Sequence, residues 1–415
     1  MAFKHIKRNG FIGAAFAIAL SSAGSLAAPD EEALGKSEGY PICGSLIVAE
    51  MRCLVGLVSR RDEVYPHRIV AKPAHARDLK RVASEPAIEI DYGQYAGTVD
   101  DYLARNRTTG LLILKDDMIL VERYQYDRTP MHRMTSFSMA KTVVAMLVGI
   151  ALAEGSIKSL DDLAQNYVIE LTGTPYGETP IRHLLTMSSG VRFSETDGGM
   201  DDVATLARLA ILGESEGGAA TVMPFRTRER SPGHKFSYSS GDSQVLGLVL
   251  RAATGKPLAD YLSEKIWKPM GAESEASWMI DKGGFETGWA GINATLRDYG
   301  RLGMLLAHDG IVDGRRILPA GWVEASTTPP APQFGPGQSG AGLFGYGYQT
   351  CVIGGNERQF VLRGRRGQAI FVDPQSKLVL VHTAAGGGGG MSADLIALWF
   401  SLTKLFAPRG ISASP

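Results

Sequence analysis

Ser138 and Lys141 stand three residues apart, immediately ahead of an apolar run (Val143, Val144, Met146, Leu147, Ile150, Ala151) whose spacing predicts a helix. Positions i and i+3 share a helix face, so the Lys141 amine comes within hydrogen-bonding reach of the Ser138 hydroxyl. A serine hydroxyl is a weak nucleophile near neutral pH and needs a base beside it. A lysine can be that base once burial or neighbouring cations keep it neutral. The helix start adds unpaired backbone N–H groups and a positive dipole end where an attacked acyl carbonyl develops negative charge. The chemistry these residues can do is acyl transfer through a serine.

Spacing alone decides little, because ordinary Ser and Lys usage yields about one such pair by chance in a chain of this size. Ser401 and Lys404 repeat it at the end of an apolar segment that stops before Pro408. There a packed helix with a cation near its C-terminus is the simpler reading. For Ser138 the competing reading is an N-cap serine with a solvated lysine one turn on. Partners separate the two. Residues 236–242, Phe-Ser-Tyr-Ser-Ser-Gly-Asp, form a loop ahead of a helix-like stretch at 245–252. Tyr238 on that loop can relay a proton between Ser138, Lys141 and a leaving group where nearby cations favour its ionised form, or it can pack under the turn. Ser240 can bond substrate or Lys141, or cap the turn. His183 and His382 are expected to be structural.

Together, Ser138-x-x-Lys141, Tyr238-x-Ser240 and a glycine-bearing strand near the C-terminus resemble the serine β-lactamase and penicillin-binding-protein superfamily. Residues 181–190, 291–295 and 367–374 carry supporting phrases, and the likeness spans about residues 109–406. Within the superfamily the chain is most similar to the class C-type branch that holds 6-aminohexanoate-dimer hydrolase and the family VIII esterases. The resemblance implies attack by Ser138 on a carbonyl, proton shuttling by Lys141 and Tyr238, and hydrolysis of an acyl-enzyme. It also implies two oxyanion donors, the Ser138 N–H and one from the third-motif strand. That strand departs from the family pattern: Leu362-Arg363-Gly364 is followed by Arg365-Arg366-Gly367-Gln368. Taking Gly364 as the motif glycine makes the Arg365 N–H the donor, and taking Gly367 makes it that of Gln368; the Arg365 assignment is preferred. Ser240, Arg366, Gly367 and Gln368 are the expected substrate contacts. Arg363, Arg365 or Arg366 can pair with a substrate carboxylate or form a solvated face. Ser240 replaces a common asparagine, which together with the altered third motif moves the expected substrate away from β-lactams. The alternatives are a β-lactamase or D-alanyl-D-alanine carboxypeptidase, and an acylated sensor without turnover.

Lys plus Arg and Asp plus Glu each number 43 in 415 residues, so no charge excess points to nucleic acid. A small-molecule substrate fits better. No paired histidine or cysteine spacing closes a metal site, and the chemistry requires no cofactor. Lys4, Lys7 and Arg8, an apolar stretch at 11–20, and small residues up to Ala27 read as a signal peptide cleaved after Ala27, hence a periplasmic or secreted protein without a stable membrane anchor. In an oxidising compartment, Cys43 with Cys53 is the simplest pairing, leaving Cys351.

These residues must be held by elements that the patterns also outline. Residues 28–106 read as an extension wrapping the main domain, and 107–407 as the catalytic-type domain, with a helical subdomain at about 156–285 and a tail at 408–415. A hairpin at 109–124 leads into the Ser138 helix. A cap-like start is expected at 159–162, a short helix from Ile181, and a longer one at 295–307. Strands are expected at 346–353, 359–362, 368–372 and 377–383, then a glycine-rich connecting loop at 386–390 and a helix at 392–406. The fold class is α+β, of the β-lactamase-like (DD-peptidase/transpeptidase) kind: an antiparallel sheet flanked by helices with a helical subdomain inserted.

Overall fold

The alternation of apolar residues in the first hairpin shows how the fold is layered. In strand Thr108–Lys115, Leu112 and Leu114 point into one buried cluster while Leu111 and Ile113 point into another. Successive strand residues face opposite sides, so a strand that is apolar at every position is covered on both faces. A computed structural model of the chain, describing residues 28–43, 50–196, 199–338, 343–355, 357–388 and 390–406, shows this architecture. The expected signal peptide and C-terminal tail lie outside the described residues.

The central sheet has eight strands in the order Phe344–Tyr346, Cys351–Ile353, Gln359–Arg363, Ala369–Asp373, Leu378–Ala384, Thr108–Lys115, Met118–Tyr124 and Lys80–Arg81. All neighbours are antiparallel except the last pair. Helix Leu296–Ala307 packs on one face, in the same core as the helices Met139–Ala153 and Ser240–Thr254. Helix Ala393–Phe406 covers the other face, with Trp399 stacked on Phe371 at 5.1 Å. Ser401, the residue of the chance pair, accepts the Asp91 N–H there, and Lys404 reaches Asp91.

Met139–Ala153 is apolar all round, and thirteen of its residues are buried. Such a helix belongs in the core, where each fully buried aliphatic side chain, Leu147 for example, contributes about 1.5–3 kcal/mol. Lys141 is its one ionisable residue. Ser240–Thr254 packs directly against it, carrying Ser240 of the Tyr238 loop to the same end.

Several expectations need correction. The segment 28–106 does more than wrap: His67–Val70 pairs with Ala276–Met279 in a small sheet with Ile292–Ala294 and Met134–Thr135, and Lys80–Arg81 edges the large sheet. The helical subdomain therefore gives way to strand at Ala276. Residues 346–353 are two strands, because Gln349 turns the chain with φ of 51° and buries its side chain on Leu184 and Ser243. Residues 159–162 form a hydrogen-bonded turn instead of capping a helix. The glycine run joins the last strand to the last helix, as expected, and holds the Arg366 turn through Gly386 and Gly388. Cys43 is bonded to Cys53, and Cys351 is a buried free thiol.

Candidate active site

Ser138 occupies the N-cap of the Met139–Ala153 helix, and the residue before it, Phe137, has φ of 42°. A non-glycine residue in the left-handed region costs energy and is held there by its surroundings. The sharp turn leaves Ser138 half-exposed at the mouth of a cleft, and its N–H has no hydrogen-bond partner among the described residues. Lys141 lies one turn on, as the i to i+3 spacing requires. Its Nζ donates to Ser138 Oγ at 2.9 Å, to Ser240 Oγ at 3.0 Å and to the Trp289 carbonyl at 3.1 Å. The side chain is 1% exposed. Burial pushes the amine down to about 8, while the Glu195 carboxylate and, less, the Cys351 thiol work in the opposite direction. A solvated helix-surface lysine is thereby ruled out.

Tyr238 sits over the pair. Its loop is clamped by Ser237 N–H to the Met187 carbonyl at 2.8 Å and by the Ser239 side chain capping the following helix. The ring lies 5.0 Å from Lys141 Nζ, and Tyr346 meets it edge-on at 6.2 Å. Burial, then the Glu195 charge, raise the phenol well above its ordinary value. The expectation of a phenolate favoured by cations is thus reversed in this state: Tyr238 stays protonated and is an acid.

Ser240 is fully buried, joining Lys141 to Glu195, whose carboxylate accepts from Ser240 N–H and Oγ, both at 3.0 Å. The structure brings Ser138, Lys141, Tyr238 and Ser240 together. Arg365 borders the same cleft as Ser138. Gly364 explains how the turn gets so close: a Cβ there would lie 2.4 Å from the Ser136 carbonyl. The Gln368 N–H, in contrast, donates to the Arg365 carbonyl, so between the two motif glycines the geometry favours Gly364.

Three expected substrate contacts lie elsewhere. The Gln368 side chain is buried and spent on both polar atoms of the Ala384 backbone. Gly367 turns at φ of 90° with its carbonyl accepting from His382 Nδ1, and the Arg366 guanidinium donates to the Gly386 carbonyl. All three shape the turn that carries Arg365. His382 receives bonds at Nε2 from Tyr102 and Thr108, and burial lowers it to about 4, so it is a neutral strut. His183 packs its ring against Gly233 in a separate cleft.

Glu195 and Trp289 were not legible beforehand. Glu195 lies in a loop without periodicity, and Trp289 contributes a backbone carbonyl, which no residue type announces. Arg61, from the N-terminal extension, also lines the cleft.

A buried lysine bonded to a serine at a helix start, with a protonated tyrosine opposite, is the geometry of a serine acyl-transfer centre. The beta-lactamase family model matches residues 96–398. The 6-aminohexanoate-dimer hydrolase of Paenarthrobacter ureafaciens is 27% identical over 338 residues, covering 79% of this chain and 81% of that one. A Bacillus anthracis structure assigned to the 6-aminohexanoate-dimer hydrolases superposes with a TM-score of 0.74 at 22% identity, covering 87% of this chain and 95% of its own. The octameric penicillin-binding protein homologue from Pyrococcus abyssi shares the fold at a TM-score of 0.56 and 19% identity, covering 74% and 75%. This chain belongs to the beta-lactamase family and is a serine hydrolase of that family.

Proposed function

We propose that the protein is exported and hydrolyses a small linear amide or ester through an acyl-enzyme on Ser138. The observation that carries this reading is the 2.9 Å contact between Ser138 Oγ and a buried Lys141 amine lowered to about 8. Near pH 8 about half of such amines are neutral. Neutral Lys141 takes the Ser138 proton as Oγ bonds to the carbonyl carbon. The oxyanion forms at the helix start, facing the Ser138 N–H and the Arg365 turn. The tetrahedral adduct then expels the amine or alkoxide, which takes the Tyr238 proton, and the proton held by Lys141 passes to the resulting phenolate. Water attacks the acyl-enzyme as Lys141 again receives a proton, and Lys141 returns that proton to Ser138 Oγ as the acid product leaves. Likeness to the Paenarthrobacter enzyme, named for hydrolysing a 6-aminohexanoate dimer, supports linear amides as substrates. The export reading rests on the N-terminal charge and apolar pattern.

Ser138→Ala is expected to lose both turnover of p-nitrophenyl esters and labelling by a fluorophosphonate, and retained activity would reject the assignment. Nitrocefin tested alongside linear amide oligomers separates this reading from a penicillin-recognising enzyme, which would favour the β-lactam.

A further inference from the structure

Phe137 carries a bulky side chain at φ of 42°, one residue before the nucleophile. Left-handed backbone at such a residue persists only where the surroundings hold it. The backbone is held by hydrogen bonds: Ser136 N–H donates to the Ile292 carbonyl at 2.7 Å, and Ser136 Oγ and Ala140 N–H donate to the Phe137 carbonyl at 2.9 and 3.3 Å. The side chain is held by the N-terminal extension. Phe137 packs against a cluster that includes Leu54, Val55 and Val58 of the buried helix Leu54–Ser59, and the Arg61 guanidinium lies 5.2 Å over its ring.

Arg61 is 5% exposed, and its Nε and Nη1 have no hydrogen-bond partner among the described residues. Charge removed from water needs compensation, and the faces of Phe137 and, at 5.8 Å, Tyr65 offer it through their ring quadrupoles. The adjacent carboxylate, Asp62, is engaged instead by Arg133 and Ser277, both at 2.8 Å, which pins the turn Arg61–Glu63 to the small sheet. The Cys43–Cys53 bond ties the same extension. A cation anchored on one side therefore bears on a ring whose own backbone presents Ser138. Movement of that ring would carry Ser138 Oγ and N–H with it, and a displacement of about 1 Å at a reacting group can cost about 10²-fold in rate.

We propose that Arg61 is a positioning residue for the nucleophile: stacked on Phe137, it clamps the left-handed turn that aims Ser138 Oγ and N–H at the carbonyl under attack. This deepens the function proposed above and rests on it. Arg61 lies outside the segment matched by the family model, which begins at residue 96, so the clamp is supplied by this chain's extension.

The test reads acylation of Ser138 from pre-steady-state release of p-nitrophenol by a neutral ester, and from the second-order rate of fluorophosphonate labelling, both per titrated active site. Arg61→Ala is expected to slow both by about tenfold or more with KM within about threefold. Arg61→Lys, which keeps a cation over the ring, should recover most of the loss, whereas Arg61→Met, which fills the volume without the charge, should not. These two variants decide the question even where Arg61→Ala does not fold. Phe137→Leu should slow acylation similarly, and Arg61→Ala should add little in that background. Wild-type acylation in Arg61→Met, an effect confined to KM, or losses that multiply in the double variant would each overturn the proposal. A wild-type Ser138 inert toward ester and fluorophosphonate would defeat the hydrolase reading. The clamp is then still read from thermal unfolding, where the melting-temperature losses of Arg61→Ala and Phe137→Leu should overlap in the double variant, and strictly additive losses would overturn it.

Discussion

The Lys141–Ser240–Glu195 chain makes the pH dependence of this enzyme a test of how its base is set. Lys141 must be neutral to accept the Ser138 proton, so kcat/KM should rise with pH through an apparent pKa of about 8. Glu195 opposes the burial of Lys141, and removing its charge should lower that value further. The size follows from geometry: Lys141 to Ser240 and Ser240 to Glu195 are hydrogen bonds of 3.0 Å each. The carboxylate therefore lies within about 6 Å of the ammonium, where unit charges at an effective dielectric of about 20 interact by about 3 kcal/mol, or about two pKa units. Glu195 is half-exposed at the cleft, and solvent screening reduces the expected shift to about one unit. Glu195→Gln should accordingly move the acid limb from about 8 to about 7 while fluorophosphonate labelling of Ser138 persists. The assay is kcat/KM for a neutral p-nitrophenyl ester between pH 5.5 and 9.5. A limb that stays in place or moves upward would refute the claim that Glu195 tunes Lys141.

Gly364→Ala places a methyl 2.4 Å from the Ser136 carbonyl and must push the Arg365 turn away from Ser138. A loss of about 10²-fold in kcat with a native circular dichroism spectrum is expected, as for removing one oxyanion donor. His382 is neutral in the folded protein at a value lowered to about 4, below its ordinary 6.5. The unfolded chain binds the proton first, so the stability His382 protects is intact above about pH 6.5 and is lost on acidification toward about pH 4, by up to about 3 kcal/mol. Urea denaturation across that window should show a steeper loss for wild type than for His382→Gln, and equal slopes would contradict the assignment.

What could be read in advance was whatever the chain writes locally. The Ser138–Lys141 contact follows from helix periodicity, and the hairpin, the 359–383 strands and the last helix follow from alternation and from turn residues. Tyr238 and Ser240 were legible only because three separated motifs occur together; each alone has a structural explanation. The illegible part depends on convergence. Gln368 and Arg366 looked like substrate contacts because they follow the motif glycine, but which side of a strand turn faces a cleft is set by register against Leu378–Ala384, and both were drawn to the far side by the Ala384 and Gly386 backbone. Arg61 shows the same limit in reverse. An arginine beside Asp62 and Glu63 reads as part of a surface ion pair, and the neighbouring Arg60 does pair with Glu63. Only the fold, by giving Asp62 to Arg133 and Ser277, strips Arg61 of a partner and aims it at the serine's cleft. Residues whose partners lie close in sequence announce themselves, whereas a group left without its neighbour's compensation is visible only once the whole chain has been placed around it.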